Sequence, residues 1–238
     1  MIYQCFFRDD QRERLFLTSA YAPLGIEPAV NDQLCVNCPE LGSEAVRLQL
    51  TEYGGFLFMW RNMQINPHDW IGFTSWRQLD KSDVVFESAE AVAAALADVD
   101  YVAWAPWDVS RVQHGWLRGT AAHSEISHPH LHSFIVEMFR ETNEAMPRAY
   151  SHASVVPYAN YWAMSNTLFD EYMRWSWPLV QRALVSKHIY VNYVPPWDHK
   201  GDVRKTIGYF MERLFIIWTM RRELRPRFLG VVKRPDYV

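Results

Sequence analysis

The sequence predicts an α/β sandwich with a mainly parallel central sheet flanked by helices. Short apolar runs rich in β-formers alternate with segments of helical periodicity, the pattern of strand–helix–strand units. Hydrophobic residues make up 49% of the chain and charged residues 21%, which provides a sizeable core and argues against disorder. A length of 238 residues favours one domain over two, so 1–238 is read as a single domain.

Ile2 to Phe7 reads as a buried first strand. Residues 19–42 carry Pro23, Gly25, Pro28, Pro39 and Gly42 and read as a long irregular connection. Connections of that length usually serve a site. From Ser43, a plausible N-cap, Val46, Leu50, Tyr53, Leu57 and Trp60 recur at helical spacing and predict one amphipathic helix. Gly54-Gly55 within it weakens the helix and points to close packing there. Trp70 to Trp76 reads as a strand, Ser88 caps a helix through Leu96, and Tyr101 to Trp104 forms a further strand. A helix is expected from Leu131 to Glu144, a strand from Asn160 to Met164, a helix from Thr167 to Val185 strained near Pro178, and a last helix from Thr206 to Arg222.

Several function classes are disfavoured. A formal net charge of −3 argues against non-specific nucleic-acid binding, and no uncharged run approaches the ~18 apolar residues of a membrane span. The first ten residues lack a basic region followed by an apolar stretch, so the expected location is cytoplasmic. Cys5, Cys35 and Cys38 read as reduced thiols. Cys35-Val-Asn-Cys38 has zinc-knuckle or redox spacing, but no second Cys/His pair accompanies it.

Three segments could carry chemistry. Tyr209 to Trp218 is apolar or aromatic at eight of ten positions, yet holds Glu212 and Arg213 at its centre. Charges on a buried helix must be paired or put to use, so the two either anchor the helix by salt bridges or line a binding cleft. His128-Pro-His130-Leu-His132 is a metal candidate, with His114 and His123 as further ligands, although the helical pattern that follows makes it equally a helix start. Residues 221–238 hold Arg221, Arg222, Arg225, Arg227, Lys233 and Arg234 against Glu223 and Asp236, a basic tail that could approach an anionic membrane surface.

Five segments, taken in order, resemble a family of bacterial capsular-polysaccharide and lipopolysaccharide glycosyltransferases, catalogued as a domain of unknown function with a GT-A-like (Rossmann-like) fold. Ile2-Tyr-Gln-Cys-Phe-Phe7 is similar to its first strand. Glu52 with Phe56-Leu-Phe-Met-Trp60-Arg61-Asn62 resembles its Glu…Tyr-Trp-x-Trp-Lys-Asn helix. Trp70-Ile71-Gly72-Phe73-Thr-Ser-Trp76-Arg77 resembles its Tyr-Ile-Gly-x-x-His-Tyr-Arg-Arg strand end. Asn160-Tyr-Trp-Ala-Met164 with Phe169-Asp170-Glu171-Tyr172 resembles Asn-Met-Phe-Ile-Met…Phe-Asp-Glu-Tyr, and Gly208-Tyr209-Phe-Met-Glu212-Arg213-Leu214-Phe215 resembles Gly-Tyr-Leu-Ala-Glu-Arg-Leu-Phe. Residues 105–150 agree poorly. The family's His-Tyr-Arg-Arg appears here as Ser75-Trp76-Arg77-Gln78.

The resemblance implies a transferase that moves a sugar from a nucleotide-sugar donor to a glycan or lipid-linked glycan acceptor in surface-polysaccharide synthesis, peripheral to the inner membrane face. It assigns Glu212 as the catalytic carboxylate. Gln4, Glu52, Trp76, Arg77 and Arg213 become donor contacts, and Asn160, Trp162, Asp198, His199 and Tyr209 acceptor contacts. GT-A folds usually end a strand in Asp-x-Asp to hold a divalent metal. Here Thr74-Ser75-Trp76-Arg77 offers no carboxylate. No cofactor is therefore expected to be required beyond the donor, a guanidinium being able to meet the diphosphate charge, with Asp198 and His199 as the fallback metal or acceptor contacts. The alternatives are a zinc hydrolase built on His128, His130 and His132, and a non-catalytic carbohydrate-binding relative.

Overall fold

The computed structural model describes residues 1–62, 66, 68–192 and 206–230. Its centre is a six-stranded sheet formed by β1 (Ile2–Phe6), β2 (Tyr21–Gly25), β3 (Trp70–Ser75), β4 (Tyr101–Trp104), β5 (Trp162–Ser165) and β6 (Pro226–Leu229). The spatial order is β6-β4-β5-β3-β1-β2. β1 is parallel to β2 and β3, and β4 is parallel to β6, while β5 runs antiparallel to both β3 and β4. The mainly parallel α/β sheet expected from the alternating pattern is present.

Seven helices cover this sheet among the described residues: α1 (Glu44–Leu50), α2 (Glu52–Asn62), α3 (Ala89–Leu96), α4 (Gly119–Ser127), α5 (Leu131–Glu141), α6 (Asn166–Leu184) and α7 (Thr206–Arg221). The strands alternate side chains between two faces, which divides the core. On one face Phe73, Tyr101, Trp162 and Met164 pack with Phe56, Phe169 and Phe215. On the other Ile2, Val102, Trp104 and Ala163 pack with Phe86 and Val92. No described helix is long and apolar enough to cross a membrane.

The structure departs from the sequence reading in four places. Residues 19–42 are not wholly irregular, because Tyr21–Gly25 forms β2. Its Pro23 is tolerated because β2 pairs with β1 alone, at the sheet edge. The single helix expected from Ser43 is two, broken at Thr51 with φ +48°, and Ser43 makes no side-chain cap. α4 lies in the stretch where neither periodicity nor resemblance gave a signal. The basic tail is not a tail through residue 229, since Pro226–Leu229 pairs with β4 as the opposite edge strand. Arg221, Arg222 and Arg225 form ion pairs with Glu144, Glu171 and Asp100, and Arg227 donates to the carbonyls of Ala94 and Ala95. Four of the six cations that suggested an anionic membrane are thus used within the fold; Lys233 and Arg234 lie outside the described residues.

Close packing explains the glycines. A Cβ on Gly55 would meet Cys5 Sγ at 3.0 Å, with Leu24 and Ile26 methyls at 3.1 Å, so α2 lies tight on β1 and β2. A Cβ on Gly72 would meet Trp162 O and Ala163 Cβ at 2.9 Å, across the β3–β5 pairing. At Gly54 the nearest neighbour is Leu41 Cδ2 at 3.5 Å, an ordinary contact. Gly54→Ala is therefore expected to stabilise the chain by up to about 1 kcal/mol through helix propensity. Gly72→Ala is expected to destabilise it by about 1–3 kcal/mol through overpacking against backbone. Urea midpoints at unchanged slope measure both.

Candidate active site

The chain leaves β1 toward β2 on one side, whereas β3 connects to β4 on the other. The carboxyl ends of β1 and β3 therefore lie at the point where successive connections diverge, where open α/β sheets usually form their ligand crevice. The sequence-predicted residues Glu52, Trp76, Arg77, Asn160 and Glu212 gather around this end of the sheet.

α7 is the element that carries charge into it. Its circumference is almost wholly apolar, so the helix is buried and Arg213 is only 1% exposed. The guanidinium donates from Nη1 to Glu212 Oε2 at 2.9 Å and from Nε to Ser124 Oγ on α4 at 3.1 Å, and lies 4.0 Å over the Tyr158 ring. Nη2 has no partner among the described residues. The Glu212 side chain retains 19% exposure, so the pair joins the core to the surface. The anchoring ion pair expected of Glu212-Arg213 is present, and its carboxylate keeps partial exposure. Burial pushes the Glu212 carboxyl above its ordinary value, opposed by Arg213 and Lys81 and reinforced by Glu52.

Glu52 reaches this place because of the break at Thr51. A Cβ on Gly208 would stand 3.0 Å from Thr51 Oγ1, so the first turn of α7 packs directly on the break. Glu212 lies one turn farther on the same helix face, alongside the start of α2.

The far wall comes from β3 and β5. Ser75 Oγ and Tyr161 OH are hydrogen-bonded at 2.8 Å, and Lys81 Nζ lies 5.4 Å from the Tyr161 ring centroid. The Tyr161 phenol is raised, chiefly by burial, and lies within the electrostatic reach of Glu52, Arg77 and Glu212. Asn160 precedes it in the left-handed conformation at φ +55°, 5% exposed, its Oδ1 without a partner among the described residues. Ala105 opposite is left-handed too, at φ +63°, one residue beyond the hydrogen bond from Trp104 N to Tyr161 O. Two adjacent strained residues at a sheet end commonly mark a site.

In the loop after β3, Trp76 is flanked by two guanidinium carbons, Arg14 at 4.8 Å and Arg77 at 5.9 Å from its ring centroid. Both arginines bond Asp80, at 2.5 Å from Arg14 Nη2 and 3.0 Å from Arg77 Nε. These bonds, from Arg77 first and Arg14 next, hold the Asp80 carboxyl below the usual carboxylate range. Sequence reasoning missed Arg14, Lys81, Ser124, Tyr158 and Tyr161. Only Tyr161, between Asn160 and Trp162 of a quoted segment, had a signal that could have found it.

Two predicted contacts are corrected. Gln4 is buried, where its amide donates to Phe16 O at 2.9 Å and accepts from Phe16 N at 2.8 Å, so it fastens the 8–16 loop and is shut off from a ligand at the surface. Trp162 lies in the core with its ring 4.9 Å from Phe215 and 5.2 Å from Phe73, out of reach of an acceptor. Asp198 and His199 fall outside the described residues. Tyr209 stacks on His128 at 3.6 Å.

The histidine motif does not assemble a metal centre. Among the described residues no three His, Cys, Asp or Glu side chains converge as a ligand set. His128 is pushed down to about 2, chiefly by burial and then by Arg213 and His123, so it stays neutral. His130 caps α5 at φ +71°, and His132 stacks on Tyr150 at 6.3 Å. The hydrolase alternative thus has no ligand set among the described residues. Cys38 is buried and donates to Leu57 O at 3.7 Å, and burial pushes its thiol up to about 11, which suits a packing residue rather than a zinc or redox thiol.

Arg213→Gln removes the cation hydrogen-bonded to Glu212 and raises that carboxyl further. A carboxyl whose folded value exceeds its unfolded value near 4.5 loses stability as pH rises from that value through the folded one. The variant should therefore lose more stability at pH 8 than at pH 5, by about 3–5 kcal/mol at the higher pH, as read from urea midpoints.

No curated protein sequence matches the chain with significance. Among solved structures, the apo form of WbbM, described as a bifunctional glycosyltransferase, superposes with a TM-score of 0.67 at 17% identity. The match covers 96% of this chain and 44% of that one, so the chain spans less than half of its neighbour's length. At that identity the likeness is one of fold, and the fold is the GT-A-like α/β sandwich. The model of the domain of unknown function DUF4422 matches residues 48–223, and the chain belongs to that family.

Proposed function

We propose that the chain is a glycosyltransferase that uses a nucleotide-activated sugar, with Glu212 as the base for the acceptor hydroxyl. The observation that carries this is the Glu212-Arg213 pair, in which a buried cation fixes a mostly buried but still accessible carboxylate beside the crevice at the strand ends. The fold likeness to a glycosyltransferase supports the same reading.

In the proposed reaction the acceptor oxygen attacks the anomeric carbon and the bond from that carbon to the donor diphosphate breaks. The acceptor proton passes to Glu212, and the nucleoside diphosphate leaves. A raised carboxyl value suits a base that must take up a proton near neutral pH. Arg77 faces the leaving diphosphate, while Tyr209 and Asn160 contact the acceptor. Neither Thr74-Ser75 at the end of β3 nor Trp104-Ala105 at the end of β4 supplies the carboxylate pair of an Asp-x-Asp metal site, so no step is routed through a metal. Single displacement would invert the anomeric centre. The proposed acceptor is a glycan of surface-polysaccharide assembly on the cytoplasmic side, a reading supported by the family resemblance alone.

A panel of nucleotide sugars tested by thermal shift and donor consumption identifies the donor. Glu212→Gln should keep the fold and the donor affinity while turnover falls ~10²-fold or more. The acid limb of the parent pH–rate profile should lie above the ordinary carboxylate value of 4.5 and disappear in the variant. Turnover at the parent rate in Glu212→Gln would return Glu212 to a purely structural role. A parent protein that no nucleoside diphosphate or nucleotide sugar stabilises would remove the transferase reading.

A further inference from the structure

We infer that Arg14 and Arg77 form a two-guanidinium clamp for a diphosphate across the crevice between β1 and β3, held ready by Asp80, which yields its place to the anion. The identity of the diphosphate's owner rests on the transferase reading; the anion site rests on the geometry. Arg14 ends the 3₁₀ helix Asp9–Arg14 that follows β1, and Arg77 begins the loop that follows β3. They come from the two connections that diverge at the crevice, 63 positions apart in sequence. Each takes a different oxygen of one carboxylate, Arg14 Nη2 on Oδ1 and Arg77 Nε on Oδ2. The indole of Trp76 packs against both and fixes their separation.

Asp80 leaves both forks incompletely used. Nε and Nη1 of Arg14, and both Nη atoms of Arg77, have no protein partner among the described residues, and the two side chains are 40% and 55% exposed. One carboxylate between two guanidiniums leaves a net positive charge. A diphosphate brings more oxygens and more charge than Asp80, and guanidinium forks bind such groups bidentately. The resembling family has a second arginine where this chain has Gln78. Gln78 is buried, accepting from Thr74 Oγ1 at 2.6 Å and donating to Val84 O at 2.5 Å. Arg14 thus restores from the opposite side of the crevice a guanidinium that the β3 loop lacks. Leu17 and Leu79, 97% and 59% exposed, lie in the same two loops, so a nucleoside diphosphate and a prenyl diphosphate both fit the chemistry.

Calorimetric titration of the full chain with inorganic pyrophosphate, a set of nucleoside diphosphates and farnesyl diphosphate tests the clamp in parent, Arg14→Ala, Arg14→Lys, Arg77→Ala and Asp80→Asn. Pyrophosphate affinity should fall ~10-fold or more in each alanine variant and be only partly kept in Arg14→Lys, which has no fork. It should rise several-fold in Asp80→Asn, because the internal competitor for both guanidiniums is gone. Pyrophosphate affinity unchanged in Arg14→Ala, absent in the parent, or weakened in Asp80→Asn overturns the clamp. Arg14→Lys and Asp80→Asn decide the matter should Arg14→Ala not fold. Tighter binding of a nucleoside diphosphate than of farnesyl diphosphate assigns the clamp to the donor, and the reverse order to a lipid-linked acceptor. Donor turnover in the parent with the same KM in Arg14→Ala removes the clamp and keeps the transferase reading. Arg14-dependent pyrophosphate binding without use of any nucleotide sugar keeps the clamp and removes that reading.

Discussion

A guanidinium inside an apolar helix bundle has to be satisfied by whatever surrounds it, and Arg213 imposes that requirement on three separate parts of the chain. The apolar circumference of α7 carries it inward. Glu212 supplies the opposite charge, Ser124 an oxygen from α4, and Tyr158 a ring face from the segment before β5. An ion pair so placed is seldom the most stable filling for its volume, since well-packed apolar residues often match or exceed it. What it does here is fix a carboxylate: with Nη1 on its inner oxygen, Glu212 holds one orientation at the mouth of the crevice.

The rest of the site follows from how closely backbones approach one another. Gly208 lets α7 settle on the break at Thr51, and that contact sets Glu52 beside Glu212, two carboxylates whose mutual repulsion adds to burial in raising the Glu212 value. On the other wall, the antiparallel course of β5 delivers its amino end, and so Asn160 and Tyr161, to the same side as the carboxyl ends of β1, β3 and β4. A sixth parallel strand would have put that end on the far side of the sheet. The left-handed Ala105 and Asn160 are the cost of turning both chains sharply at this rim, and there the amide oxygen of Asn160 lacks a partner among the described residues.

What the sequence revealed and what it hid divide along physical lines. β1, β3, β4, α5, α6 and α7 were legible because they are buried and their apolar periodicity is strong, and α3 because Ser88 caps it. β2 and β6 were not, because each is an edge strand containing a proline, which sequence rules count against a strand. The break at Thr51 was invisible because the apolar spacing of Val46, Leu50, Tyr53 and Leu57 continues through it, and only a close contact with α7 reveals it. Glu212 and Arg213 stood out as charges on an apolar helix. Arg14, Lys81 and Tyr161 did not, because each acquires its place through a partner far away in sequence. Gln4 and Trp162 show the converse error, in which likeness to a family segment said nothing of whether the side chain faces solvent or core.

The two departures from the resembling pattern bear on what this chain still does. Ser75 and Gln78, which replace the histidine and the second arginine, both turn inward: Ser75 bonds Tyr161, and Gln78 spans Thr74 and Val84. Neither leaves an empty polar position, and together they fasten the loop that presents Trp76 and Arg77 at both of its ends. The bracing holds the indole between Arg14 and Arg77, so positive charge persists at the crevice although the motif that encodes it in the family has changed. In the proposed clamp the two guanidiniums come from different loops at one end of the sheet, where strand topology, rather than any single motif, determines the position of a ligand.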